Sequence, residues 1–149
     1  MRRIMPDVVG SQPLSTLSAD DLVIDAVTLM AERRIGAILI TRNRDLVGII
    51  TERDIVFRVV AARRDPQTTK IADVMTANPD VIAPGADVMT GLERMQSGGY
   101  RHLPVVDDGA LVGIVSIRDI YASVRAELEE AVIERDAFLT TAWDDKPQD

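Results

Sequence analysis

The chain has 149 residues, 46% hydrophobic and 28% charged, a globular composition that holds one ordinary domain or two very small ones. Its net charge of −7 argues against bulk nucleic-acid binding, and the lack of cysteine excludes disulfides, thiol catalysis and thiolate metal sites. Met1 to Asp7 carries charge without an apolar run, and the longest strongly apolar stretch, Ile35 to Ile40, is far too short for a bilayer. A cytoplasmic protein with no membrane and no nucleic-acid partner is therefore expected.

In chain order, Ser15 to Leu17 predicts a short strand. Ser18 follows as a helix N-cap, with the Asp21 carboxylate three residues on. Val23, Ala26, Val27, Met30 and Ala31 recur at helical spacing, and Gly36 is the expected C-terminal stop. Ala37 to Thr41 and Leu46 to Ile50 are apolar runs around the polar turn Arg42 to Asp45, a β-hairpin pattern. Thr51 opens a second helix with Ile55, Val56, Val59 and Val60 on one face. After a linker, Asp80 to Ala83 predicts a short strand and Val88 to Met95 a helix. Leu103 to Val106 and Leu111 to Val115 form a hairpin around Asp107-Asp108-Gly109, and a helix runs from Ile117 to Arg125. From Ser123 to Ala142 the chain is charged and helix-prone. That segment either packs on its own domain or forms a dimer contact.

This order describes one unit written twice. Leu46-Val47-Gly48-Ile49-Ile50-Thr51-Glu52-Arg53-Asp54-Ile55 returns 65 positions later as Leu111-Val112-Gly113-Ile114-Val115-Ser116-Ile117-Arg118-Asp119-Ile120, with seven positions identical. Further upstream the offset is 66, pairing Asp7-Val8 with Asp73-Val74 and Pro13 with Pro79. The expected division is unit one over 7–62, a linker over 63–72, unit two over 73–126, and a C-terminal amphipathic helix and tail over 127–149. Units of about 60 residues bury too little surface to stand alone, so the two are expected to share a core.

The repeated polar positions are candidate site residues. Thr51 with Asp54, and Ser116 with Asp119, fall where a strand ends and a helix begins. Such a pair can form a capping box, in which the hydroxyl accepts from one backbone N–H and the carboxylate from another. The same corner can hold a nucleotide: free N–H groups face a phosphate, and a carboxylate accepts the two hydroxyls of a ribose. Arg53 and Arg118 also repeat. Each is either a solvated helix arginine or a phosphate ligand. No catalytic constellation, P-loop or dinucleotide motif is present, and a lone His without cysteine does not complete a transition-metal site. Neither a catalytic residue nor a metal ligand is expected.

The tandem β-α-β-β-α units resemble a CBS domain pair, or Bateman module, over about 115 residues. The resemblance rests on Gly48-Ile49-Ile50-Thr51-Glu52-Arg53-Asp54 and Gly113-Ile114-Val115-Ser116-Ile117-Arg118-Asp119. It rests also on Asp73-Val74-Met75-Thr76 and His102-Leu103-Pro104-Val105-Val106-Asp107. It implies a mixed α/β (α+β) fold with two units packed by pseudo-twofold symmetry. It implies two clefts between them for AMP, ADP, ATP, NAD or S-adenosylmethionine, with no obligatory cofactor. In the family the Asp takes the ribose, and the Thr or Ser supports ribose or phosphate. Basic residues before the Leu-Pro strand touch phosphates, which points to Arg101 and His102, where the first copy has Gly36 and Ala37. Phosphate binding should then favour the part served by the second copy, giving two similar ribose corners of unequal affinity. Backbone near Ile38 and Leu103 would face the adenine edge, and Thr16 and Val81 would line the clefts. The implied function is that of a non-enzymatic regulatory sensor, a homodimer acting on an unidentified regulated protein. The alternative is a structural interaction and dimerisation module with vestigial clefts.

Overall fold

The computed structural model describes residues 1–144; residues 145–149 of the expected tail lie outside the described residues. Unit one runs β1 (Thr16–Leu17), α1 (Val23–Arg33), β2 (Ala37–Arg42), β3 (Asp45–Thr51) and α2 (Glu52–Asp54), which continues in wider turns over Ile55–Val60. Strand β4 (Thr76–Ala77) follows the linker. Unit two runs α3 (Val88–Gly98), β5 (His102–Asp107), β6 (Ala110–Ser116) and α4 (Ile117–Asp144). The mixed α+β architecture is as expected.

Both hairpins form. Strand β2 pairs antiparallel with β3 and β5 with β6, and the registers match residue for residue: Ala37 opposite Thr51, His102 opposite Ser116. The turns use positive φ, at Asn43 (51°) and Arg44 (71°) in one and at Asp108 (49°) and Gly109 (81°) in the other. Two left-handed residues in succession match the right-handed twist of the strands. The first short strand is β1, parallel to β2; its counterpart is a single bridge from Ile82 to Val105.

Alternation along β2 explains how the halves join. Ile38 and Ile40 point into a core with Val23, Ala26, Ile50 and Val59. Ala37 and Leu39, on the other face, join Ile49, Leu111 and Ile114 in a layer shared between the units. A strand buried on both faces reads as a continuous apolar run, which is what Ala37 to Ile40 is.

The lead-in segments cross between the units. Ile4 is fully buried in the second unit's core with Ile82, Val88, Met95 and Leu103, and Val88 N–H donates to Arg2 O at 3.0 Å. In the mirrored arrangement, Ile71 and Val74 lie in the first unit's core, and Val23 N–H donates to Thr69 O at 2.9 Å. Strand β4 likewise joins the first unit's sheet beside β3.

Four local expectations are corrected. Helix α1 starts at Val23, with Leu22 as N-cap and the Asp25 carboxylate accepting from Leu22 N–H at 3.0 Å. Ser18 and Asp21 instead close a preceding turn, because the Ala19 and Asp21 carbonyls accept from Ala72 and Ile71 of the crossing segment. The helix ends at Arg34 (φ 53°), so Gly36 is not its cap. Beyond Asp54 the turns widen, with Ala61 N–H bonding Val56 O and Arg64 N–H bonding Val59 O. The wider period splits the expected stripe: Val59 is buried, whereas Val56 and Val60 are 53% and 67% exposed. Finally, α4 is continuous, and its residues 127–141 are exposed throughout, so it projects from its unit rather than lying on it. Arg2 pairs with Glu130 at 2.7 Å near its base.

Replacing Ile4 with Ala should lower stability by about 2–5 kcal/mol in denaturant titration, the usual cost of emptying a buried aliphatic site. Hydrogen exchange should rise first in α3, β5 and β6, although Ile4 precedes unit one in sequence. Faster exchange centred on α1 and β2 would contradict the crossing.

Candidate functional site

Each candidate corner is built by a strand handing over to a helix. Glu52 N–H donates to Gly36 O at 2.9 Å, and Ile117 N–H donates to Arg101 O at 2.8 Å, at matching positions of the two copies. Each bond ties a helix start to the turn before the neighbouring strand. It places the repeated hydroxyl and carboxylate at the edge of the layer where the units meet.

Both corners are capping boxes. Asp54 Oδ2 accepts from Thr51 N–H at 2.9 Å and from Thr51 Oγ1–H at 3.1 Å, while Asp54 N–H donates to Thr51 Oγ1 at 3.3 Å. Asp119 Oδ2 accepts from Ser116 N–H at 2.9 Å, and Asp119 N–H donates to Ser116 Oγ at 3.1 Å. In each carboxylate the cap engages Oδ2 and leaves Oδ1 outside the box.

Two clefts open beside the shared layer. The larger, of about 940 Å³, is walled by Ser116, Arg118 and Asp119 of unit two and by Ser15, Arg34 and Ala37 of unit one. The smaller, of about 450 Å³, is walled by Thr51, Arg53 and Asp54 of unit one and by Asp80, Gly99 and Tyr100 across the gap. Glu52, Arg101 and His102 face both. The second copy's basic residues therefore serve both clefts, not one favoured side. The reason is position: they lie near the pseudo-twofold axis, where the two halves meet.

The side chains of Ile38 and Leu103 are fully buried in the two cores, which leaves only their backbone to meet a ligand, while their neighbours Ala37 and His102 line the clefts. Thr16 and Val81 line neither cleft; Ser15 and Asp80, one residue earlier, do. A shift of one residue along a strand reverses the face a side chain points to. Val81 instead offers its carbonyl to the Arg94 guanidinium.

Glu52 is the wall residue that the repeat itself signals. It is the only non-conservative difference within the ten-residue phrase, where the second copy has Ile117. A β-carbon on Gly36 would lie 2.8 Å from Glu52 Oε1 and 3.6 Å from His102 Cε1, so the missing side chain makes room for this cluster. Burial lowers the His102 pKa below its ordinary value, opposed by the charges of Glu52 and Asp119 and reinforced by Arg101. Tyr100 donates to Asp80 Oδ2 at 2.8 Å; burial and that carboxylate push the phenol up to about 12. The arginines differ in freedom. Both are exposed, but Arg53 donates to Gly99 O across the gap at 3.1 Å, whereas among the described residues Arg118, on the other cleft, makes no side-chain hydrogen bond or ion pair.

Comparison with known proteins agrees with this architecture. The CBS domain family profile matches residues 3–61 and 71–126. CBS domain-containing protein CBSX3, mitochondrial, from Arabidopsis thaliana is 32% identical over 127 residues, which are 82% of this chain and 62% of that protein. The Arabidopsis CBS domain-containing protein CBSCBSPB2 is 33% identical over 132 residues, 88% of this chain but 24% of its own length. The chain thus spans less than two thirds of either relative. Among solved structures, a putative signal-transduction protein with CBS domains from Burkholderia ambifaria shares 38% identity at a TM-score of 0.75, covering 78% of this chain and 85% of that one. A CBS domain protein from Pyrobaculum aerophilum complexed with AMP shares 27% at 0.70, covering 80% and 89%. The CBS domain pair of protein MJ0100, in complex with 5′-methylthioadenosine and S-adenosylmethionine, shares 25% at 0.76, covering 85% and 98%. Two consecutive profile matches over two crossed, mirrored units show that this chain belongs to the CBS domain family, as a CBS pair.

Proposed function

We propose that the chain is a regulatory, non-catalytic sensor that binds an adenine nucleotide or related adenosyl compound between its units. The observation that carries this reading is the Ser116–Asp119 corner. Asp119 keeps a carboxylate oxygen outside the cap and lines a cleft of about 940 Å³ that also holds Arg34, Arg101 and Arg118. A ribose diol would donate to the carboxylate, and a phosphate would take charge-assisted bonds from the arginines. Apolar wall residues such as Ala37, Leu39 and Ile114 would face the base. AMP in one solved relative and S-adenosylmethionine in another support the ligand class.

Regulation would follow from where the ligand lies. A molecule touching both units favours the arrangement it fits best, and shifts the population only by its difference in affinity between arrangements. The readout would pass through self-association or a partner surface. Val56, Phe57 and Val60 on α2 and Leu128, Val132, Ile133 and Phe138 on α4 are exposed apolar residues suited to a homodimer. The projecting half of α4 favours a second reading, an interaction module that binds no nucleotide. Among the described residues, no helix is long and apolar enough to cross a membrane.

Calorimetry with AMP, ADP, ATP, NAD and S-adenosylmethionine tests the proposal. At least one should bind below millimolar concentration, and Asp119→Ala should weaken it by about 1–3 kcal/mol, roughly five-fold to 150-fold. The same change removes a cap worth about 1 kcal/mol, so thermal stability is the control. A fall in stability with unaltered affinity would leave Asp119 as a cap alone. No binding of any of the five to folded protein would favour the interaction module.

A bound phosphate would raise the depressed His102 pKa. Binding should therefore take up protons between the free and the bound pKa of His102, and affinity should gain as pH falls through that window. At about pH 6, AMP titrated in buffers of different ionisation enthalpy should take up more protons with the unaltered chain than with His102→Gln. Equal uptake would remove His102 from the phosphate end.

A further inference from the structure

The two corners share a cap but differ in what stands one turn further along the helix. Four residues after Asp54 comes Arg58, whose Nε lies 3.7 Å from Asp54 Oδ1. Arg58 is held there from behind: its Nη1 donates to the Val74 and Met75 carbonyls, each at 3.1 Å, in the crossing lead-in. Asp54 Oδ2 is already taken by Thr51, and its side chain is only 12% exposed. Oδ2 is therefore hydrogen-bonded within the chain, and Oδ1 lies within ion-pair distance of the half-exposed Arg58 guanidinium. Across the same cleft Arg53 of unit one donates to Gly99 O of unit two at 3.1 Å.

At the matching place in the second copy stands Ser123, four residues after Asp119. Its hydroxyl is buried and has no hydrogen-bond partner, and it presents no charge to Asp119. Among the described residues Asp119 forms no ion pair, and Oδ1 accepts no hydrogen bond. Its cleft is also the larger, about 940 against 450 Å³.

We propose that the clefts are not equivalent: the Asp119 cleft takes the nucleotide, and the Asp54 cleft is closed to a ribose by Arg58 on its carboxylate. The inference rests on the nucleotide reading above and assigns that function to one side of the module. A ribose entering the Asp54 corner would have to displace a guanidinium that keeps two backbone carbonyls satisfied. At Asp119 it displaces only solvent. Arg58 thereby acts as a specificity residue without touching the bound ligand, and the smaller cleft becomes a strut between the units.

Calorimetry with AMP, counting sites per chain, tests this. The unaltered chain should bind one AMP. Asp119→Ala should lower that affinity at least about five-fold. Asp119→Asn, which keeps an oxygen for the Ser116 N–H, should do likewise with the fold retained by circular dichroism. Arg58→Ser, copying the second unit, should add a second AMP site while the first keeps its affinity. Two AMP bound with similar affinity by the unaltered chain would overturn the proposal. So would wild-type affinity in folded Asp119→Asn, or a single site in Arg58→Ser. No AMP bound by the unaltered chain would overturn the nucleotide reading for AMP and this inference with it, an outcome distinct from the other three.

Discussion

The apolar layer between the hairpins is the constraint from which the site follows. Ala37, Leu39 and Ile49 of one unit meet Leu111 and Ile114 of the other. Each half, at about 60 residues, is marginal alone, and the shared layer buries surface that neither would cover by itself. The side chains in this layer are aliphatic and of modest size, in a chain with only 3% aromatic residues. They fill the middle of the contact and leave its two edges open. The clefts are those edges.

The crossing lead-ins strengthen the same arrangement. Ile4 in the second unit's core and Ile71 in the first mean that neither core is complete without chain from outside its own repeat. The two units are thus joined through buried contacts in both cores as well as through the shared layer. The crossing segment also supplies the Val74 and Met75 carbonyls that hold Arg58. A feature of the fold thus reaches one cleft directly and has no counterpart at the other.

The capping boxes show how structure and function overlap at the same residues. A strand that turns into a helix leaves backbone N–H groups unpaired, and a hydroxyl three residues before a carboxylate satisfies two of them. That requirement alone accounts for Thr51, Asp54, Ser116 and Asp119. What distinguishes the corners is the second carboxylate oxygen, engaged by Arg58 in one and unengaged in the other. Glu52, Arg101 and His102 lie between the clefts, where the same partly buried imidazole faces both sides.

The sequence by itself determined the duplication, both hairpins with their turns, and the two hydroxyl–carboxylate corners, because each is written in residues close together in the chain. Asp108-Gly109 predicts its turn, and the ten-residue phrase predicts its caps. The same local reading misplaced the start of α1, the end of that helix and the buried stripe of α2. There, bonds from a distant segment or a change of helical period outweighed local pattern. The family resemblance placed Thr16 and Val81 in the clefts, where the preceding residues Ser15 and Asp80 stand instead. Only the tertiary structure decided that Ile4 belongs to the far core, that Arg101 and His102 serve both clefts, and that Arg58 engages Asp54. Those relations join residues far apart in sequence or depend on which way a side chain points, and both are set when the two halves pack together.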